Sequence, residues 1–154
     1  MSLPGLAEGG VLPAGIHDCT VEEVKAAFAQ SEGRVILWSL FDGFLERLND
    51  TLQIPVTIYL DGSFITDWES CCDIDVVIEA REFEAHQANV LNMLCNDQVR
   101  AEFHEDFRVL IHVVVPGFFG RDYRQWFQRV KTDDAWRFGM DERLMKKGIV
   151  RLRQ

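Results

Sequence analysis

Leu60-Asp61-Gly62-Ser63, then nine residues, then Asp73-Ile74-Asp75-Val76: this stretch decides how the chain is read. Leu60 closes an apolar run that begins at Ile54, and Gly62-Ser63 ends it with small residues. Asp73–Glu79 alternates polar and apolar side chains, the mark of a strand with one buried face. Ile74, Val76 and Ile78 then point to the core, while Asp73, Asp75, Val77 and Glu79 share the opposite face. Two carboxylates two residues apart repel each other unless a cation lies between them, and hard carboxylate oxygens suit Mg2+. Glycine lets the backbone approach an anion closely, and free amides with a hydroxyl after the turn suit phosphate oxygens. Strand, Gly-Ser turn and a strand bearing two aspartates together describe a site for a metal-chelated triphosphate. The competing reading has Asp73 capping a turn and Asp75 paired with an arginine.

Outward from this stretch, the pattern is that of one α+β domain spanning residues 1–154. Residues 1–17, rich in Gly and Pro, read as an extended lead-in. Thr20-Val21-Glu22-Glu23 fits a capping box, followed by a helix to about Gln30 burying Val21, Val24 and Phe28. Arg34 to about Thr51 repeats apolar residues at helical spacing (Val35, Leu37, Trp38, Phe41, Leu45, Leu48), continued by Leu52. Strands are expected at Ile54–Leu60, Asp73–Glu79, Phe107–Val115 and Gly148–Leu152. Helices are expected from Arg81 to about Asn96, with Phe83, Val90, Leu91 and Leu94 on one side, and over Asp122–Val130.

Composition narrows the function classes. The chain has 154 residues with 47% hydrophobic and 27% charged side chains, ordinary for a domain with a core. A formal charge of −9 disfavours general binding to nucleic acid, which needs many cations to displace counterions. The charge is uneven: residues 1–120 carry a net −14 and residues 121–154 a net +5. A basic tail folded against an acidic body would satisfy both charges, and a solvated basic surface and a specific anion site account for the tail equally well. No apolar run approaches the roughly 20 residues of a membrane span, and no signal-peptide pattern opens the chain, so a cytoplasmic location is expected. Cys19, Cys71, Cys72 and Cys95 lack CxxC spacing, and the four histidines supply no paired zinc-ligand sets, so reduced, unligated thiols are expected.

Gly62-Ser63, the nine-residue spacer and Asp73-Ile74-Asp75 resemble the signature of the DNA polymerase β-like nucleotidyltransferase superfamily, in its minimal nucleotidyltransferase branch. Leu12-Pro13-Ala14-Gly15-Ile16-His17, Trp126-Phe127-Gln128 and Lys147-Gly148-Ile149 resemble, more loosely, uncharacterised bacterial and phage proteins assigned to that fold. The resemblance implies a mixed sheet flanked by helices, Mg2+, and transfer of a nucleoside monophosphate from a triphosphate, expected to be ATP, to a protein or small-molecule hydroxyl. Gly62 and Ser63 would hold phosphate; Asp73 and Asp75 would hold metal. Active members usually carry a third carboxylate on a later strand beside the first two. Here that strand, Phe107–Val115, holds no acid. Its Val109, Ile111, Val113 and Val115 form the apolar face, and His112 takes the position facing the aspartates, with Glu105 and Asp106 just before the strand. His112 as a neutral base, with Asp73 and Asp75, completes the expected catalytic set; a half-buried strand histidine is the plainer alternative.

The acid-free strand opens a second expectation, a catalytically degenerate nucleotide-binding module, for which the family resemblance implies an antitoxin-like role beside a small ribonuclease toxin. A third is a structural protein with both aspartates paired to arginines. Other groups point less clearly to chemistry. His17-Asp18-Cys19 is consecutive, and consecutive residues seldom share a side. Tyr123, Trp126, Phe127 and Trp136 read as core aromatics before a base-stacking platform. Gly117-Phe118-Phe119-Gly120 reads as a loop that packs down or meets a partner, and Arg121, Arg124, Lys146 and Lys147 are candidate phosphate neighbours.

Overall fold

The computed structural model describes residues 3–117, 126–131, 134 and 146–153. Five strands, β1 (Gly15–Thr20), β2 (Thr57–Asp61), β3 (Ile74–Glu79), β4 (Val109–Val114) and β5 (Gly148–Arg153), form one mixed sheet in the order β1-β5-β2-β3-β4. β1 runs parallel to β5 and β3 parallel to β4, while β2 is antiparallel to both of its neighbours. Among the described residues four α-helices accompany the sheet: α1 (Val21–Phe28), α2 (Glu32–Leu52), α3 (Ala85–Met93) and α4 (Asp97–Phe107). The fold is α+β. None of the described helices is long and apolar enough to cross a membrane.

The strand alternation decides the layering. Ile58 and Leu60, Ile74, Val76 and Ile78, Val109, Ile111 and Val113, and Val150 and Leu152 are buried in one core with apolar side chains of α1, α2 and α3. Within it α2 contributes a chain of rings: Trp38 stacks on Phe64 at 5.7 Å, and Phe41 on Phe44 at 5.9 Å between centroids. Each such side chain contributes about 1.5–3 kcal/mol through burial. On the opposite sheet face, Tyr59, Val77 and Ile149 form a second, smaller cluster with Val114 and Phe127.

The helix ends follow from local chemistry. Thr20 caps α1: Glu23 N–H donates to its hydroxyl at 3.2 Å, and its own N–H donates to the Glu23 carboxylate at 2.9 Å. Ser31 caps α2, accepting from Arg34 N–H. Asn96 caps α4, accepting from Gln98 and Val99 N–H. Within α2, Val35 does not join the apolar stripe expected of it: it is 51% exposed beside Ile36 at 56%, while Arg34 is buried at 8%.

Several expectations are corrected. The segment 1–17 is not merely a lead-in: it ends in an edge strand of the sheet, Gly15–Thr20, and it turns back on itself where Ala7 pairs with Val11, which itself bridges Thr66. β2 begins at Thr57 rather than Ile54, and β4 at Val109 rather than Phe107. The single helix over 81–96 is shorter, starting at Ala85, and a separate α4 follows it. α4 has no fully buried residue, so it carries little apolar periodicity to read. Phe107 ends this helix instead of opening a strand, and Arg108 turns the chain with φ of 54°. Residues 118–125 lie outside the described set, as do Trp136 and most of 132–145, and the roles of Phe118, Phe119, Arg121, Tyr123 and Arg124 fall there. Of the helix expected over Asp122–Val130, the described residues 127–130 are not helical, Arg129 forming a β-bridge with Lys146 instead, and Trp126, expected in the core, is 46% exposed.

Candidate functional site

β2 and β3 bring the two halves of the deciding stretch side by side. Their antiparallel register pairs Leu60 with Val76 and Asp61 with Asp75, so the turn after β2 stands beside the start of β3. Gly62 holds φ 80° and ψ −165°, a conformation open essentially to glycine alone. A Cβ at this position would also run into the Asp75 carboxylate. The carboxylate therefore lies directly over the bare glycine backbone, and Ser63 then starts a single 3-10 turn, Ser63–Ile65. Gly62, Ser63 and Asp75 are brought together.

Asp73 lies one residue ahead of β3, and the charge on Asp75 reaches it. Partial burial, then the Asp75 carboxylate, push the Asp73 carboxyl above its ordinary range, with His104 pulling the other way. His104 Nε2 of α4 is 3.6 Å from Asp73 Oδ2, and His112 Nε2 of β4 is 3.9 Å from Asp75 Oδ1. Each aspartate thus faces one histidine, and neither is paired with an arginine among the described residues. His112 also meets the Phe127 ring edge-on at 5.0 Å. Glu105 and Asp106 are exposed on α4, so neither stands on the strand beside the aspartates. Among the described residues, no three His, Cys, Asp or Glu side chains gather closely enough to form a metal cage by themselves.

The turn is held from behind by a residue the sequence did not single out. Arg34 of α2 donates through Nη1 to the carbonyl of Phe64 at 2.5 Å, and through Nη2 to those of Ser63 at 3.1 Å and Trp68 at 2.8 Å. Its guanidinium also lies 5.4 Å from the centre of the Phe64 ring. A planar five-donor group is suited to binding several carbonyls of one loop at once. On the far side, Trp68 Nε1 donates to Gly9 O at 2.7 Å and Asp67 N–H to Gly10 O at 3.0 Å. The N-terminal segment and α2 together clamp the loop between β2 and β3.

The chain belongs to DUF6932, a family of unknown function. The family model matches residues 4–153, nearly the whole chain. No curated protein and no solved structure matches it.

Further polar groups of this DUF6932 domain lie on the same sheet face. Lys147, immediately before β5, binds the Asp61 carboxylate through Nζ; their side chains are 8% and 6% exposed. Burial pushes the Asp61 carboxyl upward against the pull of Lys147. Lys147 is thus a carboxylate partner and not an open cation. Farther along, Arg151 forms a two-pronged pair with Asp18, and Tyr59 donates to Glu79, which also accepts from Arg81 at 2.6 Å. His17-Asp18-Cys19 is split by the strand: Asp18 pairs with Arg151, while His17 Nε2 lies 2.8 Å from Pro13 O. Cys19 is buried, and burial lifts its thiol to about 11, which keeps it protonated and unreactive. All four cysteines are free.

Asp61, Arg34 and His104 escaped sequence reasoning because their partners are distant. Arg34 and Ser63 are 29 residues apart, and Lys147 and Asp61 are 86 apart. Only an arginine at the first turn of a helix, where an exposed residue is expected, hints at Arg34.

Proposed function

We propose that this is a nucleotidyltransferase-like domain that binds a Mg2+-chelated nucleoside triphosphate such as ATP and transfers its nucleoside monophosphate to a hydroxyl on a protein or small molecule. The observation that carries the reading is the Asp75 carboxylate lying over Gly62. The turn that would take phosphate and a carboxylate that would take its cation then stand side by side. The mixed sheet also supports it, with β4 parallel to β3 on the side where the family resemblance expects a third group.

The donor chemistry fits Mg2+. Asp73 and Asp75 supply two hard oxygen donors whose mutual repulsion a dication relieves, and Mg2+ commonly takes its other ligands from phosphate oxygens and water. When bound, it would neutralise charge on the phosphates. Asp73 and Asp75 would hold it, and the Gly62-Ser63 backbone and the Ser63 hydroxyl would bind phosphate oxygens. The acceptor oxygen attacks the α-phosphorus, a new P–O bond forms, and the bond to pyrophosphate breaks. His112 takes the hydroxyl proton on Nε2, with Asp75 3.9 Å away to stabilise the resulting imidazolium. Pyrophosphate leaves with the electron pair of the broken bond.

The test uses ATP labelled at the α-phosphate, with MgCl2 and a cell extract as the source of acceptors. Label on a protein or small-molecule acceptor is expected, and its loss in the Asp73→Ala/Asp75→Ala variant. Nucleotide binding without label on any acceptor would overturn transfer. It would favour the second reading, a nucleotide-binding module that acts on a partner such as a toxin. The histidine standing where β4 has no acid is the observation on that side.

A further inference from the structure

The nucleotide reading above leaves a buried ion pair unexplained. Asp61 and Lys147 are both almost wholly enclosed, and they bind each other directly behind the turn. Stability alone does not account for them: desolvating two charges costs several kcal/mol each, and apolar side chains of similar volume often serve a fold as well or better. Their position is more informative than their energy. Asp61 is the residue before Gly62, and it is the register partner of Asp75. Asp61 therefore leads the chain straight into the turn and stands next to the strand residue that carries the second carboxylate.

Lys147 is delivered by a fixed backbone. Its N–H donates to Gln128 O at 2.7 Å, and the next N–H, of Gly148, donates to Leu12 O at 2.8 Å before β5 begins. Gly148 is packed too closely against Pro13 O and the His17 ring to admit a Cβ, which holds this entry point still. The ammonium is therefore placed by two separate segments, and it in turn places Asp61.

We propose that Asp61 and Lys147 are a positioning pair for the phosphate turn, with Lys147 fixing Asp61 and Asp61 holding Gly62-Ser63 in the conformation that receives a polyphosphate. The pair acts through the turn and does not touch the ligand. This rests on the nucleotide reading of the same site. Its consequence is that the pair governs affinity for a magnesium–triphosphate complex and contributes little to folding.

Two double variants separate these roles: Asp61→Leu/Lys147→Met, which fills the space with apolar groups, and Asp61→Asn/Lys147→Gln, which keeps shape and hydrogen bonding without charge. Thermal melts and calorimetric titration with ATP and MgCl2 are compared with the wild type. The apolar variant is expected to melt, without ligand, at or above the wild-type temperature. Its affinity for ATP–Mg is expected to fall about 10- to 100-fold, the range seen when groups supporting a site's direct ligands are removed. Wild-type affinity in a folded variant would overturn the positioning role while leaving the nucleotide reading intact. Loss of cooperative melting in both variants would also overturn it, by making the pair part of the core. Absence of ATP–Mg binding in the wild type itself would remove the nucleotide reading, and this inference with it.

Discussion

The two faces of the sheet are built on opposite terms. The helix-covered face is apolar along β2, β3, β4 and β5, from Ile58 and Leu60 through Ile74, Val76 and Ile78 to Val150 and Leu152, and closes on the rings of α2. The other face sets charged or polar groups among its few apolar ones: Asp18, Arg151, Tyr59 and His112 lie in one row across the sheet, with Glu79 toward one end and Lys147, Asp61 and Asp75 toward the other. Stability resides on the first face. The second carries pairs of charges whose desolvation costs are met by specific partners, an arrangement better suited to chemistry than to folding.

The largest expected effect lies on the apolar face. Trp38→Ala removes a fully buried ring stacked on Phe64 and should cost about 3–5 kcal/mol of unfolding free energy, read from urea denaturation. A cost below about 1 kcal/mol would mean that this face is not the seat of stability. Next comes the site. Asp73→Ala/Asp75→Ala should abolish stabilisation by ATP with MgCl2, which for a ligand at a hundred times its dissociation constant amounts to about 2.7 kcal/mol. Without ligand the same variant should melt no lower than the wild type, because two carboxylates that raise each other's energy have been removed. A large drop in its ligand-free melting temperature would reverse the contrast between the faces.

The smallest effect belongs to the edge pair. Hydrogen bonding to Arg151 holds the Asp18 carboxyl below its ordinary value of 3.8, so its ion pair favours the folded state above that pH. The contribution is full at neutral pH and is lost as pH falls below 3.8 through the lower folded-state value. Asp18→Asn should therefore cost under about 1 kcal/mol at pH 7, and the wild type and variant should converge in acid. Melts across pH that stay parallel would contradict this.

The apolar face was largely legible because alternation reports burial directly. Ile74, Val76 and Ile78, and Val109, Ile111 and Val113, are all in the core as their spacing implies. The capping box at Thr20 and Glu23 was legible for a similar reason, since its partners are three residues apart. α4 was not, because its half-buried Phe103 and Phe107 give a weak stripe amid charged residues, and the cap that starts it at Asn96 was absorbed into a longer expected helix. At the site, the motif residues Gly62 and Asp75 meet as their order on two neighbouring strands suggests. What surrounds them was hidden. Arg34 binds carbonyls, which every residue has, and the Lys147–Asp61 pairing depends on β5 returning beside β2, a topology no local pattern encodes.

The most direct measurement of the central claim is thermal unfolding of the intact chain with ATP and MgCl2 together, compared with ATP alone and MgCl2 alone. A carboxylate over a bare glycine turn should take the metal and the polyphosphate jointly, so the combination should raise the melting temperature by more than the two separate shifts added. Equal melting under all three conditions, or a shift from MgCl2 that ATP does not enlarge, would contradict the account.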